Sequence, residues 1–381
     1  MKDIKVALIG GAGFMGRAHS LGYSLASVLG DLNARVHKSV LVDVDPDAAT
    51  RAAAELGWER ASSDWRAVVA DPDIDVIDIV TPPGLHREIA LEAIAYGKHV
   101  FCEKPITNDL PSAIEMSDAA GRAGVTTQVG FNYRHISAIS HIRNLIDSGR
   151  LGVPLHFRGE YLTDALFFID DFGWRGSRAS GGSGATGDIG SHLIDLAEYL
   201  LGPISRVSAV QRTKQRESPG DGWFDEQTRR ADDRLDDAGA WIAEFENGAI
   251  GTFSIGFYSS GRKNALTFEI DASRGSVEFD WNARDKFAVS FIDDPEDRSG
   301  LTTVEATTAH PDVWYPVPGL GQGYLDGTAI QIRRFLNAVA TGGTGAPDFA
   351  SAVRVQRVVD AVEESARTGA WVDLRVPVAA R

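Results

Sequence analysis

The feature of this sequence that constrains its fold most is a glycine-rich turn between an apolar run and a helical pattern. Residues 4–9, IKVALI, are typical of a buried parallel strand, and residues 14–29 then alternate apolar and polar positions at helical spacing. The turn between them fits G-x-G-x-x-G, which allows a tight bend, approach of a pyrophosphate and close packing of helix on strand. This context favours a dinucleotide site over a purely connecting turn. The predicted cofactor contacts are Gly11, Gly13, Phe14, Met15 and Gly16.

Strands and helices continue to alternate through the first third of the chain. The strand-like runs are 39–44, 75–80, 98–102 and 125–130, and the helical stretches are 46–56, 85–96 and 110–123. Such alternation predicts a doubly wound parallel sheet. We therefore expect an α/β protein whose residues 1–130 form a nucleotide-binding Rossmann domain.

Beyond residue 150 the pattern changes to period-two strands, with Asn247-Gly248 as a hairpin turn. One helix near 190–200 opens this part. Two more, near 324–341 and 349–368, close it and can pack back on the first domain. Residues 131–381 are therefore predicted to form a substrate-binding and oligomerisation α/β domain with a large, mainly antiparallel sheet. The acidic stretch 216–237 is interpreted as a solvated loop or insertion.

Charge and cysteine content exclude several classes of function. The 381 residues carry a formal net charge of -15, so nucleic acid is not an expected partner. The single cysteine, Cys102, excludes an intramolecular disulfide and a zinc cluster of several thiolates, and no metal site is expected. No apolar run reaches the roughly 20 residues of a membrane helix, and the first residues lack a secretory h-region. We expect a cytoplasmic protein without a membrane partner.

Asp43, at the end of the second predicted strand, indicates which dinucleotide binds. It lies 27 residues after Gly16, somewhat beyond the usual spacing of about 20. A carboxylate there accepts hydrogen bonds from both ribose hydroxyls and repels a 2′-phosphate, so NAD is favoured over NADP. Asp45 is interpreted instead as a helix N-cap followed by Pro46. The alternative for Asp43 is an ordinary strand-end residue.

Two short motifs follow strands at the edge of the sheet where doubly wound folds bind ligands. Thr81-Pro82-Pro83 is expected to line the nicotinamide, and His86 just beyond it is interpreted as a structural or cofactor-side residue. Glu103-Lys104-Pro105 brings a lysine to the same edge, where an ammonium group can polarise a reacting hydroxyl. Glu103 and Lys104 are also predicted cofactor contacts. The alternative for Lys104 is a surface lysine.

The stretch 187–195, GDIGSHLID, offers a carboxylate and an imidazole four residues apart. If a helix begins near Asp188, that residue and His192 share one face and can act together. Oxidation of a secondary alcohol needs a base that works near neutral pH, and histidine beside a carboxylate suits this task. The alternatives are an N-cap role for Asp188 and a packing role for His192. Asp195 either assists or faces solvent.

The motifs GGAGFMG, TPP, EKP and GDIGSHLID, in this order along nearly the whole chain, resemble the glucose-fructose oxidoreductase, inositol dehydrogenase and rhizopine-catabolism family (Gfo/Idh/MocA). The resemblance implies a Rossmann domain, a cis peptide before Pro105, and a second domain whose open sheet is often a subunit interface. A homodimer or homotetramer is therefore expected. Lys104, Asp188 and His192 match the family's catalytic trio.

The resemblance also assigns roles to residues. His192 would take the hydroxyl proton, Lys104 would hold and polarise the hydroxyl, and Asp188 would bind substrate hydroxyls or tune the pair. Which of Lys104 and His192 accepts the proton stays open. The predicted substrate-binding residues are Lys104, Asn132, Tyr133, Arg134, Trp174, Arg175, Asp188 and His192.

The segment 161–195 is similar to the sugar 3-dehydrogenases of that family, which include enzymes of anhydrosugars such as levoglucosan. This implies NAD-dependent oxidation of a secondary ring hydroxyl of a sugar, anhydrosugar or cyclitol, with C3 of a levoglucosan-like ring as the first candidate. The alternatives are a myo- or scyllo-inositol dehydrogenase, a glycoside hydrolase that retains its NAD, and a non-catalytic sugar sensor. The sensor is disfavoured because Lys104 and His192 are present.

Overall fold

The structure is a computed structural model that describes residues 1–168, 178–213, 235–313, 317 and 320–375. The first elements in chain order are β1 (Lys2–Ile9), α1 (Phe14–Ala26), β2 (Ala34–Val42), α2 (Pro46–Leu56), β3 (Arg60–Ser62), α3 (Trp65–Val69), β4 (Val76–Ile79), α4 (His86–Ala95), β5 (His99–Cys102), α5 (Leu110–Ala123) and β6 (Thr127–Val129). Next come α6 (Ser137–Asp147), β7 (Pro154–Leu162), α7 (Arg178–Gly181), α8 (Ser191–Leu201), β8 (Ile204–Arg212), β9 (Ala238–Phe245) and β10 (Ile250–Gly256). The last are β11 (Ala265–Ala272), β12 (Gly275–Asp280), β13 (Lys286–Phe291), β14 (Thr302–Glu305), α9 (Tyr324–Thr341), α10 (Phe349–Thr368) and β15 (Val372–Asp373).

The described chain divides into two compact units. The first contains Met1–His135 with Gly323–Val353, and the second contains Ile136–Gln322 with Arg354–Arg381 as far as the structure describes them. By packing, α9 thus belongs with the N-terminal elements. The boundary after residue 130 stays a prediction about functional domains.

The first unit is built on a six-stranded parallel sheet with the order β3-β2-β1-β4-β5-β6. Its central strands are mostly apolar on both faces, as is typical of a doubly wound sheet, and the exception on β4 is the buried Asp78. The carboxyl ends of β1, β4 and β5 therefore meet at one edge, where such folds bind ligands. The predicted Rossmann fold is confirmed.

Helices α1 and α9 pack closely in this unit. A Cβ atom on Gly22 would lie only 2.7 Å from Cδ1 of Ile332, so the glycine allows the close approach. The side chains around this contact form the core of the unit, and burial of each large one stabilises the fold by about 1.5–3 kcal/mol. Its buried members include Tyr23, Trp58, Phe101, Ile332, Phe335 and Leu336.

The second unit contains a nine-stranded sheet with the order β14-β13-β12-β11-β7-β10-β9-β8-β15. All neighbours are antiparallel except β7 and β10, which run parallel. The predicted mainly antiparallel sheet is therefore confirmed, with one parallel pair inside it. Turn residue Gly248 has φ 88°, as a hairpin turn between β9 and β10 requires.

An aromatic row crosses five neighbouring strands of this sheet. Consecutive ring centroids lie 5.0 Å, 5.2 Å, 5.8 Å and 5.1 Å apart. Such offset ring pairs add about 0.5–1.5 kcal/mol each beyond burial of their area. The members, from β9 to β12, are Trp241, Phe253, Phe157, Phe268 and Phe279. Beside the row, Gly159 on β7 leaves room for Leu193 of α8, whose Cδ1 would lie 2.8 Å from an added Cβ.

Searches of the described residues found no helix with the length and apolar character needed to span a membrane, and no cluster of potential metal ligands. Cys102 is buried at the end of β5, and burial is the main reason that its pKa lies well above the ordinary value.

Candidate active site

The glycine loop lies between β1 and α1 and has room for a ligand at one position. A Cβ atom on Gly16 would lie 2.1 Å from the carbonyl oxygen of Gly11, and one on Gly11 would lie 2.5 Å from Leu41. By contrast, a Cβ atom on Gly13 would have only the Gly10 oxygen within 4 Å, at 3.9 Å. Gly13 is also the N-cap of α1, whose first turn carries no acidic side chain. The loop therefore fits a dinucleotide pyrophosphate.

Asp43 lies beside this loop, directly after β2. Its Oδ2 atom accepts a hydrogen bond of 3.0 Å from the backbone N–H of Ala12. Asp45 is the N-cap of α2, where Oδ1 accepts bonds of 2.9 Å and 3.1 Å from two backbone N–H groups, and Pro46 follows it. The predicted cap is confirmed. Because Asp43 is tied to the glycine loop, it is the carboxylate that suits a ribose.

His86 connects the two loops that follow β4 and β5. Its Nε2 atom lies 2.8 Å from the carbonyl oxygen of Thr81, and its Nδ1 atom lies 3.1 Å from that of Pro105. The ring is fully buried, and burial lowers the pKa of His86. These contacts support the structural interpretation of His86. The predicted cis peptide between Lys104 and Pro105 is present.

Lys104 is half-buried in this part of the first unit, and its backbone N–H donates a hydrogen bond of 3.0 Å to Oε2 of Glu103. The Glu103 carboxylate also meets His19 of α1, a contact that the sequence reading missed. Glu103 thus has packing partners inside the unit, and its contact with a cofactor stays a prediction.

Residues 132–135 form a single 3-10 turn after β6, and all four are buried. Nδ2 of Asn132 donates a 3.1 Å hydrogen bond to Oγ1 of Thr328 on α9. Tyr133 and Arg134 are 3% and 9% exposed, and their contacts with a substrate stay a prediction. The predicted contacts Trp174 and Arg175 lie outside the described residues.

Asp188 and His192 belong to the second unit, in one continuous helical stretch. Asp188 is part of a π-helical turn, Thr186–Gly190, and α8 begins directly after it at Ser191. The expectation of an α-helix beginning near Asp188 is therefore wrong in detail. Such single π-helical turns inside helices are frequent at functional sites. His192 is 7% exposed, and its ring centroid lies 6.1 Å from that of Tyr161 on β7, a neighbour that the sequence reading missed.

The carboxylate that caps this helical stretch is Asp236, not Asp188. Its Oδ2 atom accepts hydrogen bonds from the Thr186 N–H and hydroxyl at 2.9 Å and 2.8 Å, and its Oδ1 atom accepts one from the Gly184 N–H at 3.1 Å. A Cβ on Gly184 would lie 2.0 Å from the Asp236 carbonyl oxygen, so only glycine fits there. The N-cap interpretation of Asp188 is therefore wrong.

The solvated-loop interpretation of residues 216–237 is wrong for the last three of them. Leu235, Asp236 and Asp237 are 7%, 7% and 2% exposed, because they lead directly into β9. The rest of the stretch lies outside the described residues. Asp195 is 1% exposed, which excludes the solvent-facing alternative.

The titration of Asp236 gives a testable pH dependence. Burial raises the pKa of Asp236 from 3.8 to about 6, against the opposing hydrogen bonds from Thr186 and Gly184. The folded state then binds the proton more tightly than the unfolded state, so the free energy of unfolding falls as pH rises from about 4 to 6. The expected loss from this group is about 3 kcal/mol.

Urea unfolding of the unmodified protein and of Asp236→Asn across this pH range measures this loss. In the difference between their free energies of unfolding, the contributions of all other groups cancel. We expect the advantage of the unmodified protein over the variant to shrink as pH rises. Parallel stability curves would contradict the assignment.

A groove of about 920 Å³ lies on the sheet of the second unit, away from the predicted catalytic residues. Its lining includes the charged side chains Arg158, Glu269 and Lys286, together with Phe253 and Phe268 of the aromatic row. None of Lys104, Asp188 and His192 lines it. The groove is therefore separate from the predicted catalytic residues, whose role stays a prediction.

Comparison with known proteins places this chain in a family. The description "Oxidoreductase family, NAD-binding Rossmann fold" of GFO/IDH/MocA proteins matches residues 4–131, and the GFO/IDH/MocA C-terminal domain matches residues 139–278. The predicted NAD-binding oxidoreductase is confirmed by the first match.

Individual relatives agree with these matches. Levoglucosan dehydrogenase of Pseudarthrobacter phenanthrenivorans is 38% identical over 98% of this chain and 99% of its own length. A scyllo-inositol 2-dehydrogenase (NAD(+)) of Bacillus subtilis is 36% identical over 43% of this chain and 46% of its own length. A solved structure of levoglucosan dehydrogenase in complex with NADH and levoglucosan matches with a TM-score of 0.91 and 38% identity over 98% of this chain and 100% of that one. The chain belongs to the GFO/IDH/MocA family of NAD-binding oxidoreductases.

Proposed function

We propose that this protein oxidises a secondary ring hydroxyl of a sugar, anhydrosugar or cyclitol by hydride transfer to NAD, and that a levoglucosan-like anhydrosugar is its substrate. The observation that carries the proposal is the likeness to a levoglucosan dehydrogenase along 98% of the chain. The motif residues Lys104, Asp188 and His192 support the same reaction. The finer assignment, oxidation at C3, rests on the resemblance to sugar 3-dehydrogenases.

Each catalytic residue has a proposed role in this reaction. The Lys104 ammonium donates a hydrogen bond to the reacting hydroxyl and stabilises the negative charge that develops on its oxygen. The His192 imidazole accepts the hydroxyl proton, and Asp188 binds a neighbouring hydroxyl or tunes the histidine. The O–H bond breaks and its proton passes to His192, the C–H bond breaks and its electron pair leaves with the hydrogen as hydride, and a carbon–oxygen double bond forms, which leaves a ring ketone.

NAD, when bound, supplies the hydride acceptor. The open position at Gly13 and the N-terminus of α1 would hold the pyrophosphate, while Asp43 would hold the adenosine ribose. Thr81 and Pro82 line the nicotinamide side. The residues proposed to contact NAD follow strands at one edge of the parallel sheet, and Lys104 follows β5 at this same edge.

The remaining substrate contacts are proposed from the motifs. Asn132, Tyr133 and Arg134 come from the buried 3-10 turn after β6, and Trp174 and Arg175 come from the segment before the glycine-containing stretch 181–190. An indole stacks well on the apolar face of a pyranose-like ring, while a guanidinium donates to its hydroxyls.

Assembly and compartment follow from the same resemblance. We infer a homodimer or homotetramer that associates through the sheet of the second unit, where the groove beside Arg158 and Lys286 gives a mixed polar and aromatic surface. We infer a cytoplasmic location, consistent with the single buried cysteine.

The experiment that tests the function follows NADH absorbance with purified protein. The panel combines NAD or NADP with levoglucosan, glucose, xylose, myo-inositol and scyllo-inositol from neutral to alkaline pH. We expect NADH to form from NAD with levoglucosan, and faster than with either inositol.

Each of the other outcomes would favour a different substrate or a different function. Turnover of an inositol in preference to levoglucosan would replace the substrate assignment with a cyclitol. If no ring polyol reduces NAD although NAD binds, the dehydrogenase proposal fails. Release of sugar from a glycoside without net NADH would then establish the NAD-retaining hydrolase.

A further inference from the structure

A buried cluster of three ionisable side chains lies next to the backbone of Lys104. His19 comes from α1, Asp78 from β4, and Glu103 follows β5, and they are 1%, 0% and 7% exposed. Nδ1 of His19 lies 2.8 Å from Oδ2 of Asp78, and Nε2 lies 3.2 Å from Oε1 of Glu103. The histidine therefore bridges two carboxylates from different strands.

The geometry of the bridge indicates that His19 is an imidazolium. Each ring nitrogen faces a carboxylate, which accepts hydrogen bonds when ionised, whereas a neutral imidazole has only one N–H to donate. Burial alone would lower the pKa of His19, but attraction to Asp78 and the hydrogen bonds to both carboxylates raise it to about 10. At neutral pH the ring is positively charged and donates to both partners.

The Glu103 carboxylate is held from three sides. His19 donates to Oε1, and the backbone N–H of Lys104 donates to Oε2 at 3.0 Å. A Cβ atom on Gly130 would lie 2.1 Å from Oε1, so the carboxylate fills the space that this glycine leaves. The position of the Lys104 backbone thus depends on a side chain that His19 fixes.

The other titratable groups around the cluster do not replace the charge of His19. Burial first, and then the charge of Asp78, raises the pKa of Tyr23, and burial with the charges of Glu103 and Asp78 raises that of Cys102. Burial lowers the pKa of His86, against the hydrogen bond that its ring donates to the Thr81 carbonyl oxygen and the charge of Glu103. All three side chains are neutral at pH 7.

We propose that His19 is a positioning residue for Lys104: its ring bridges Asp78 and Glu103 and fixes the carboxylate that anchors the Lys104 backbone. The inference rests on the proposed function, in which the Lys104 ammonium meets the reacting hydroxyl. Loss of the bridge leaves two buried carboxylates without their shared cation, so Glu103 moves or takes up a proton. The Lys104 ammonium is then displaced from the reacting hydroxyl.

A double-mutant cycle tests whether His19 acts through Lys104. His19→Gln should lower kcat by about 10- to 100-fold, because small displacements of a catalytic group cost this much. In a Lys104→Met background the same substitution should change kcat less than about 2-fold. An equal loss in both backgrounds, or no loss in the unmodified background, would overturn the inference. Trp58→Phe, which removes the 2.9 Å bond from Nε1 to Ser20, is the control for general loosening of α1.

Two measurements without turnover separate this inference from the proposed function. Amide hydrogen exchange of a peptide covering residues 102–108 should speed up in His19→Gln and stay unchanged in Trp58→Phe. Nitrogen NMR of the unmodified protein should show both ring nitrogens of His19 protonated at pH 8, which needs no variant to fold. If both hold and no sugar is oxidised, the proposed function fails while the anchoring of Lys104 stands. A neutral His19 ring or unchanged exchange would overturn the inference.

Discussion

Lys104→Met and His192→Ala are each expected to lower kcat for the preferred sugar by about two to four orders of magnitude. Without the ammonium, the developing alkoxide loses its charged hydrogen-bond donor. Without the imidazole, the hydroxyl proton has no acceptor near neutral pH. The losses should combine less than additively, because both residues serve one proton transfer. Steady-state kinetics of the two single variants and the double variant measure this.

Binding of NADH should separate chemistry from misfolding. We expect the dissociation constant of NADH to stay within a few-fold for both variants, since Lys104 is only one of the predicted cofactor contacts and His192 is not among them. Lys5→Ala, which removes an exposed ion pair with Asp73, and His156→Gln on β7 are controls of the same residue types. Near-normal turnover in Lys104→Met or in His192→Ala would remove that residue from the site.

Asp43→Asn is expected to lower kcat/KM for NAD by about 10- to 100-fold and to reduce the preference for NAD over NADP. The amide keeps an oxygen that can accept the 3.0 Å hydrogen bond from the Ala12 N–H, so the glycine loop should keep its shape. It loses the charge that binds the ribose hydroxyls and repels a 2′-phosphate.

Asp43→Ala separates the two effects, because it also removes the acceptor for Ala12. We expect this second variant to bind NAD more weakly than Asp43→Asn and to have a lower melting temperature. Initial rates with NAD and NADP, and thermal unfolding, measure the outcome. An unchanged ratio of kcat/KM between the two dinucleotides in both variants would identify Asp43 as an ordinary strand-end residue.

Much of the fold was predictable because its signals are local. Residues 324–341 and 349–368 agree with α9 and α10, since apolar spacing and the glycine at 342, with φ 72°, define where these helices run and end. The strands of the first sheet were recognisable as short apolar runs between helices. The short elements β3 and α3 were missed because three to five residues carry too little periodicity.

Other features depend on contacts that no sequence window contains. The parallel pairing of β7 with β10 joins segments about 90 residues apart. Asp236 caps a helix whose first turn lies 50 residues earlier, so it looked like part of an acidic loop.

Some residues of the candidate site could be predicted from the sequence, and others could not. Asp43, Lys104, Asp188 and His192 stand in recognisable motifs at strand or helix ends, so residue type and context indicated them. His19 lies on the buried face of α1 and looks like an ordinary core histidine until its two carboxylates are seen. The one signal in the sequence for His19 is that a histidine stands among small residues in the helix that follows the glycine loop.

The most direct test of the central claim follows the hydride itself. Levoglucosan carrying deuterium on C2, C3 and C4 is incubated with the protein and NAD, and the nicotinamide product is examined by mass spectrometry. We expect the reduced cofactor to be heavier by one deuterium and the sugar product to be a ring ketone. Turnover should be slower than with unlabelled sugar. Reduced cofactor without deuterium, or bound NAD that is never reduced by any ring polyol, would contradict the central claim.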